Sequence, residues 1–321
     1  MISILFFISL STAIDFKTWT SKHNKHFSAA ETLRRRAIFN SNAKFVSNFN
    51  KYNNKMKLSL EGPFAAMTNE EYKKLLRKQN PAETKQNVSQ ENEVTNLKAA
   101  TELDLRDQGV VPPIRSQGNC GACYAFGSLA TLEGRLLFEK GGNVKTIDLA
   151  EQQLVDCSQS YGNNGCDGGF GVSAYEYIKT YGIMQESDYP YKQSAGTCSY
   201  KDSKVYAKLT GYKRVTAKSP SAMKSALAGG MVGCAIDASS EKFQLYGSGV
   251  YQDVNCATDA NSLNHEVAAV GYGTVNGVEC IYIRNSYGTS WGDNGYIYMA
   301  MQANTCGVLS DPYYPTGVSY A

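Results

Sequence analysis

The 321-residue sequence predicts an α+β protein in which helices precede strands, behind a separate helical segment at the N-terminus. Stretches near 123–139, 149–155 and 171–180 have the pattern of helices, the first ended by two glycines. Beyond about residue 205, short alternating runs separated by Gly, Asn and Asp indicate strands. Hydrophobic residues make up 42% of the chain, enough for a sizeable core.

The first thirteen residues, MISILFFISLSTA, carry no charge and end in small residues. This run is too short to span a bilayer and predicts a signal peptide over 1–13, with a buried N-terminal strand as the alternative. We expect a protein of the secretory pathway, either secreted or held in lysosome-like vesicles. No later stretch is long and apolar enough to predict a transmembrane segment.

Residues 14–80 have a helical pattern, and EEYKKLLRKQ at 70–79 begins with acids and ends with bases, as a helix dipole favours. Upstream, six residues at intervals of three or four share one helix stripe. They are Glu31, Arg35, Phe39, Asn42, Val46 and Asn50. Because four of these six residues are polar, their side chains need specific hydrogen-bond partners.

A polar linker without aromatic residues, from Pro81 to about Ala99, divides the chain and contains a glycosylation sequon at Asn87. Residues 14–98 carry 16 Lys+Arg against 8 Asp+Glu, a net of +8, whereas residues 99–321 carry 16 against 21, a net of −5. All nine cysteines lie at or after Cys120. The basic piece has no nucleic-acid-binding motif, so we expect charge attraction between the two pieces and no nucleic-acid partner.

Two cysteines stand three apart in CGAC at 120–123. A redox pair would need a thioredoxin-like context, and a Cys₄ zinc site would need a second close pair, which the sequence lacks. Cys123 opens a predicted helix, and a helix N-terminus favours the thiolate, which is the nucleophilic form. We therefore favour a structural Cys120 and a nucleophilic Cys123 over the redox and metal interpretations.

His265 is the one histidine after the linker, so any imidazole base downstream of it must be His265. It stands at the head of a predicted strand, and Asn285 stands at the end of the next one. Adjacent strands would bring the two together, so that Asn285 could hold the imidazole by a hydrogen bond. A purely structural His265 is the alternative.

The motif CGACY fits C-G-[SA]-C-[WY], the signature of the papain and cathepsin cysteine, and His265 follows Cys123 by 142 residues. On these residues the chain resembles the papain family of cysteine proteinases, of cathepsin-L type, over nearly its full length. The helical stripe of residues 31–50 matches that subgroup's prosegment motif, with Val46 where Ile is usual. YAFGSLATLEGRLLFEKGGN and TCGVLSDPYYPTGV are similar to the proteinases of parasitic amoebae in particular.

The resemblance implies a papain-like two-lobed fold within residues 99–321. A helical left lobe at about 110–205 precedes an antiparallel, β-barrel-like right lobe at about 206–310, and residues 14–98 form a helical inhibitory propeptide. It further implies a cysteine endopeptidase made as a zymogen, which hydrolyses peptide bonds through a thioester acyl-enzyme without metal or organic cofactor. The expected partners are protein and peptide substrates, the chain's own propeptide and cystatin-like inhibitors, and the expected state is a monomer.

The family's roles map onto matching positions of this sequence. Cys123 attacks, His265 transfers the proton, Asn285 orients His265, and Gln117 pairs with the Cys123 backbone N–H in the oxyanion hole. Implied substrate-binding residues around them are Gly168, Gly169, Tyr287 and Trp291. The implied disulfides are Cys120–Cys166, Cys157–Cys198 and Cys256–Cys306, which leave Cys123, Cys234 and Cys280 as thiols.

The pocket for the substrate residue two before the scissile bond (P2) corresponds to Phe170, Gly171, Ala235, Leu263 and Glu266, with Asp311 at its floor. A carboxylate at the base of an apolar slot can pair with a guanidinium, so we expect Arg to be accepted at P2 beside hydrophobic residues. A solvated Asp311 is the alternative.

Several positions depart from the family pattern. Tyr287, Tyr124 and Leu105 replace tryptophans, and Ala66 replaces an aspartate that is credited with sensing pH. These departures motivate the alternative that the chain is a catalytically weak relative acting as a peptide-binding or adhesive protein.

Overall fold

The structure, a computed structural model, describes residues 14–77 and 100–321. The predicted signal peptide, the linker and the sequon at Asn87 lie outside the described residues. Within the described ranges, no helix is both long and apolar enough to cross a membrane.

The described residues form helices of 4 to 24 residues in both the N-terminal and the C-terminal parts of the chain. They are α1 (Phe16–Lys22), α2 (Ala29–Tyr52), α3 (Asn69–Lys73), α4 (Cys123–Lys140), α5 (Glu151–Cys157), α6 (Gly171–Tyr181), α7 (Pro220–Leu227) and α8 (Glu241–Gln244). Side-chain caps fix the starts of some of them: Ser28 caps α2, and Thr68 with Glu71 forms a capping box on α3.

The strands gather mainly after residue 200. They are β1 (Met56–Leu58), β2 (Leu103–Asp104), β3 (Ile183–Met184), β4 (Val205–Lys208), β5 (Gly211–Arg214), β6 (Val232–Ile236), β7 (Tyr246–Tyr251), β8 (His265–Val275), β9 (Val278–Arg284), β10 (Tyr296–Ala300), β11 (Tyr313–Thr316) and β12 (Ser319–Tyr320). The larger sheet has the order β1-β7-β10-β9-β8-β6-β11-β5, with β2 beside β8, and the smaller one has the order β12-β4-β3. All pairs are antiparallel except β7 with β10.

Two hydrophobic cores divide the mature region. One lies among α4, α5 and α6, and the other lies among the strands of the larger sheet with α7 and α8. Helix α4 is buried from Cys123 to Leu137 because it packs against α5 and α6 on one side and against β8 and β11 on the other. The predicted α+β architecture, with a helical N-terminal segment, a helical lobe and a sheet lobe, is confirmed.

Some predicted elements differ in extent. The segment 14–80 is not helical throughout: β1 interrupts it, and α3 ends at Lys73 instead of continuing to 79. Strand β1 pairs with the edge strand β7, a long-range contact that local helical patterning cannot reveal. Strand β11, which lies beyond the predicted end of the right lobe at 310, joins the larger sheet through β5 and β6.

The helical stripe of α2 finds the partners that its polar residues require. Arg35 pairs with Glu31 and Glu71 at 2.6 Å each and donates to the Ala66 carbonyl at 3.0 Å. Asn42 donates to the Ala65 and Met67 carbonyls, and Asn50 both donates to and accepts from the backbone of Leu58. Phe39 and Val46 fill the prosegment's own core. The polar residues of this stripe therefore hold α2 against residues 58–71, which lead to the mature region.

Three disulfides staple the mature region: Cys120–Cys166, Cys157–Cys198 and Cys256–Cys306. They are the pairs that the resemblance implies. The remaining thiols, of Cys123, Cys234 and Cys280, are buried.

Candidate active site

Three of the four predicted catalytic side chains come from the ends of helices or strands. Cys123 is the first residue of α4, His265 is the first residue of β8, and Asn285 directly follows β9. Because β8 and β9 are antiparallel neighbours, the start of one and the end of the other meet. Helix α4 packs along β8, with Gly127 against Glu266 and Val267, so the thiol at the start of α4 lies near the head of the same strand. The structure thus brings all three residues to one place.

His265 Nε2 lies 2.8 Å from Asn285 Oδ1. An amide oxygen can only accept, so Nε2 carries the proton and Nδ1 is left as the basic nitrogen of the neutral ring. Asn285 Oδ1 also accepts from the Ser286 N–H at 2.8 Å, which fixes the amide. The imidazole is therefore held in the tautomer that can take a proton at Nδ1.

Gln117 lies beside this pair. Its backbone N–H donates to the Ser286 carbonyl at 2.9 Å, and its side-chain oxygen accepts from the Ser286 hydroxyl at 2.7 Å. Its Nε2 donates to the Cys120 carbonyl at 3.0 Å, which leaves a second N–H on the same nitrogen. Ser286 is a positioning residue that the sequence reasoning missed, although its place directly after Asn285 was a visible signal.

Tyr287 covers the imidazole where a tryptophan is usual. Its ring stacks on His265 with centroids 4.8 Å apart and planes 26° apart, and its hydroxyl lies 3.5 Å from His265 Nδ1. Trp291, predicted to bind substrate, is fully buried and donates to the carbonyls of Phe243 and Gln244. Gly62 of the prosegment lies directly against it. In this state Trp291 supports α8 and the prosegment.

The prosegment covers the catalytic residues. The Phe64 ring meets the Tyr287 ring edge-on at 4.7 Å, and the Tyr72 hydroxyl lies 3.2 Å from the Tyr287 hydroxyl. The Leu75 carbonyl lies over Gly121. On the sheet side, β1 pairs with β7, and Asn69 hydrogen-bonds to Ser239 and Gln244. The exposed fraction of Cys123, His265 and Asn285 is consequently 1% each.

Arg77 lies against the predicted substrate-binding residues Gly168 and Gly169. Its backbone N–H donates to the Asn264 carbonyl at 2.9 Å, and its guanidinium donates to the carbonyls of Gly169 and Leu263. The guanidinium carbon lies 4.2 Å from the centre of the Phe170 ring. A Cβ on Gly168, whose φ is +112°, would approach Arg77 to 2.9 Å. The sequence reasoning did not single out Arg77.

The residues of the predicted P2 pocket lie together, with one important difference. Ala235 is the cross-strand partner of Glu266, and Gly171 packs against Tyr313, whose hydroxyl donates to Glu266. Asp311, however, forms an ion pair with Arg214 of β5. The expectation of an acid available at the pocket floor did not anticipate this partner, because Arg214 is 97 residues away in the chain.

The electrostatics of the covered site favour uncharged groups. Burial raises the pKa of Cys123 to about 11, although the N–H groups of Glu266 and Tyr124 oppose this change. Burial lowers the pKa of His265 to about 4, against the hydrogen bond to Asn285. The helix N-terminus favours a thiolate, but in the covered site desolvation outweighs the helix terminus. The thiolate stays a prediction for the uncovered site. The site is held as thiol and neutral imidazole.

Uncovering the site should therefore raise the pKa of His265. In the full-length Cys123→Ser chain, the His265 ring should titrate by NMR near pH 4, whereas after removal of the prosegment it should move toward its ordinary 6.5. The His265→Gln variant identifies the signal, and His23 and His26 leave with the prosegment. An equal midpoint in both forms would show that the prosegment does not cause the desolvation.

Within residues 14–77 and 100–321, no three His, Cys, Asp or Glu side chains are arranged to hold a metal ion.

Comparison with known proteins agrees with this site. Residues 99–316 match the model of the papain family cysteine protease, and residues 16–72 match the cathepsin propeptide inhibitor domain (I29). The chain is 53% identical to cysteine proteinase 2 and 51% identical to cysteine proteinase 1 of Entamoeba histolytica, each over 100% of both chains. It is 37% identical to cysteine proteinase 3 of Dictyostelium discoideum, over 94% of this chain and 90% of that one.

Solved structures show the same likeness. Digestive procathepsin L 3 of Tenebrio molitor superposes with a TM-score of 0.85 at 32% identity, covering 94% of this chain and 97% of that one. A recombinant stem bromelain precursor superposes with a TM-score of 0.82 at 34% identity, covering 94% and 97%. Both are precursor forms, as this chain is with its prosegment in the cleft. The chain therefore belongs to the papain family of cysteine proteases and carries the family's inhibitory propeptide.

Proposed function

We propose that the chain is the zymogen of a cysteine endopeptidase that hydrolyses peptide bonds through Cys123, His265 and Asn285 and accepts Arg at P2. The observation that carries the proposal is the hydrogen bond from His265 to Asn285, which leaves Nδ1 as the basic nitrogen of the imidazole. The family membership supports the peptidase and zymogen character.

In the proposed reaction, His265 Nδ1 takes the proton of the Cys123 thiol, and the sulfur attacks the scissile carbonyl. The negative charge that develops on the carbonyl oxygen is met by the second Gln117 Nε2–H and the Cys123 backbone N–H. The intermediate collapses to a thioester as His265 gives its proton to the leaving amine. Water, deprotonated by His265, then attacks the thioester, and the proton returns to the thiolate on release of the acid product.

We further propose that residues 1–13 are a signal peptide, that residues 14–98 are removed on maturation, and that residues 99–321 act in lysosome-like vesicles or after secretion. The prosegment's own core and its paired strand support its role as a folded inhibitor. Edge pairing of β1 with β7 is a form of strand addition, which holds the inhibitor by its backbone.

Gln117→Ala tests the proposed oxyanion hole. Loss of one donor should lower kcat by about 10²–10³-fold and change KM little, because the donor acts on charge that exists only after attack. The matched control is Gln302→Ala, an exposed glutamine that pairs with Glu279. Steady-state kinetics of the matured variants on a peptide amide measure both constants. A fall in kcat no greater than that of the control would contradict the role of Gln117.

A further inference from the structure

The Arg77 side chain is held by four features of the mature region at once. Its guanidinium stacks on the Phe170 ring, donates to the Leu263 and Gly169 carbonyls, and lies above Gly168, where a Cβ would collide with it. Its backbone N–H is bound by the Asn264 carbonyl. An aromatic face together with converging carbonyl oxygens is what a guanidinium prefers.

An acid lies at the inner side of this pocket. The Glu266 side chain is 4% exposed, packs against Gly127 of α4 and accepts from the Tyr313 hydroxyl. The charge of Arg77 favours its ionised form. Asp311, the other acid of the pocket, has its own cation in Arg214. Among the described residues Glu266 forms no ion pair of its own, and the charges of Arg77 and, more weakly, Arg214 favour its ionised form.

We propose that Arg77 is a substrate-mimicking anchor, whose guanidinium occupies the same pocket that selects an arginine at P2, where Phe170 stacks on either guanidinium and Glu266 supplies the negative charge behind it. This proposal rests on the proposed peptidase function and deepens it, since it names one site for autoinhibition and for specificity. Glu266, rather than Asp311, is then the acid that determines specificity.

Acid should loosen this anchor. Burial raises the pKa of Glu266 to about 7, while the Tyr313 hydrogen bond and the Arg77 charge oppose the rise. Since Arg77 favours ionised Glu266, its binding is strongest above that pKa and weakens as the pH falls through it. The charged and titratable groups that act on Glu266 from the surrounding elements are Tyr313, Arg77, Asp311, Arg214, Cys123, Cys234 and Tyr175. The anchor would therefore supply a pH response although Ala66 lacks a carboxyl.

The test uses the full-length chain and an irreversible epoxide inhibitor of cysteine proteinases. The rate of Cys123 labelling in the uncleaved zymogen, divided by the rate in the matured enzyme at the same pH, reports how often the cleft is open. At pH 7.5, Arg77→Gln should raise this ratio about tenfold or more. Lys73→Gln, which removes one charge from the same segment at a lysine paired with Glu70, should stay within about twofold. Arg77→Lys, which keeps the charge but not the planar fork, should lie between them.

The Glu266→Gln variant, alone and combined with Arg77→Gln, completes a double-mutant cycle. In the zymogen, Glu266→Gln should raise the labelling ratio and abolish the increase in that ratio that the wild type shows as the pH falls from 8 to 5.5. The double variant with Arg77→Gln should raise the ratio by less than the product of the two single effects. In the matured enzyme Glu266→Gln should lower the preference for Arg over Leu at P2, as the ratio of kcat/KM values, about tenfold or more. Matured Arg77→Gln has the wild-type mature sequence and serves as its internal control.

The outcomes distinguish a failure of this proposal from a failure of the proposed peptidase function. A wild-type chain that is neither labelled nor active after acid processing overturns the peptidase proposal itself. An active enzyme whose zymogen opens no faster with Arg77→Gln than with Lys73→Gln overturns the anchor alone. Independent effects of Arg77→Gln and Glu266→Gln, or an unchanged Arg preference in matured Glu266→Gln, overturn the shared pocket.

Discussion

The Cys123→Ala chain is expected to lose at least about 10⁴-fold in kcat/KM on peptide substrates and to remain at full length under acid conditions. The reason is that Cys123 opens helix α4, whereas Cys234 and Cys280, the other free thiols among the described residues, lie inside strands β6 and β9. The measurement combines a fluorogenic peptide assay with mass analysis of the chain after incubation at low pH.

Cys280→Ala is the matched control, because Cys280 is also a buried thiol outside the disulfides but lies in β9 within a separate small hydrophobic cluster. It should mature and retain activity. Activity of Cys123→Ala within tenfold of the control would contradict the nucleophile assignment.

The Arg35→Met chain is expected to lose about 2 kcal/mol of prosegment stability and to mature roughly thirtyfold faster. Removing this guanidinium leaves Glu31 and Glu71 with only the more exposed Arg34 as a partner, and it takes away the Arg35 donor of the Ala66 carbonyl. Thermal unfolding of the zymogen and the rate of prosegment loss at pH 5 measure the two effects.

The pH dependence of this network follows from Glu71. Partial burial raises its pKa, but hydrogen bonds from Arg35 and Thr68, with the charges of Arg35 and Arg34, bring it below its usual range. The network therefore stabilises the prosegment above about pH 4.5 and is lost as the pH falls through the lowered pKa. Arg36→Met, at a guanidinium that lies 5.6 Å from the Phe16 ring centre, is the control on the same helix. Equal maturation rates for the two variants would contradict the role of Arg35.

The sequence predicted those features that local patterns determine. Cys123 at a helix start, His265 at a strand head and the stripe from Glu31 to Asn50 all follow from spacing within one element. The fold class follows from helical periodicity before residue 205 and alternation after it. The matching family signature added the lobes, the disulfide pairs and the propeptide.

What the sequence could not supply depends on contacts between distant segments. The ion pair of Arg214 with Asp311 joins β5 to the residues before β11, and Arg77 meets Leu263 across 186 residues. Neither has a local signal. The thiol pKa shows the same limit: a helix N-terminus is visible in the sequence, but the burial that outweighs it arises only in the folded site.

At the three positions where the family usually has tryptophan, two tyrosines and a leucine are buried instead. Tyr287 still stacks on His265, Tyr124 is fully buried with its hydroxyl donating to the Gly165 carbonyl, and Leu105 is fully buried. The imidazole therefore keeps an aromatic cover. This favours a catalytically competent site over the alternative of a peptide-binding or adhesive protein.

A burst titration of the acid-processed protein with an irreversible epoxide inhibitor, followed by mapping of the labelled residue, tests the central claim most directly. The account predicts one label per active chain, on Cys123, at a rate far above that of a free thiol and abolished by His265→Ala. Labelling no faster than a free thiol, or labelling that survives His265→Ala, would contradict it.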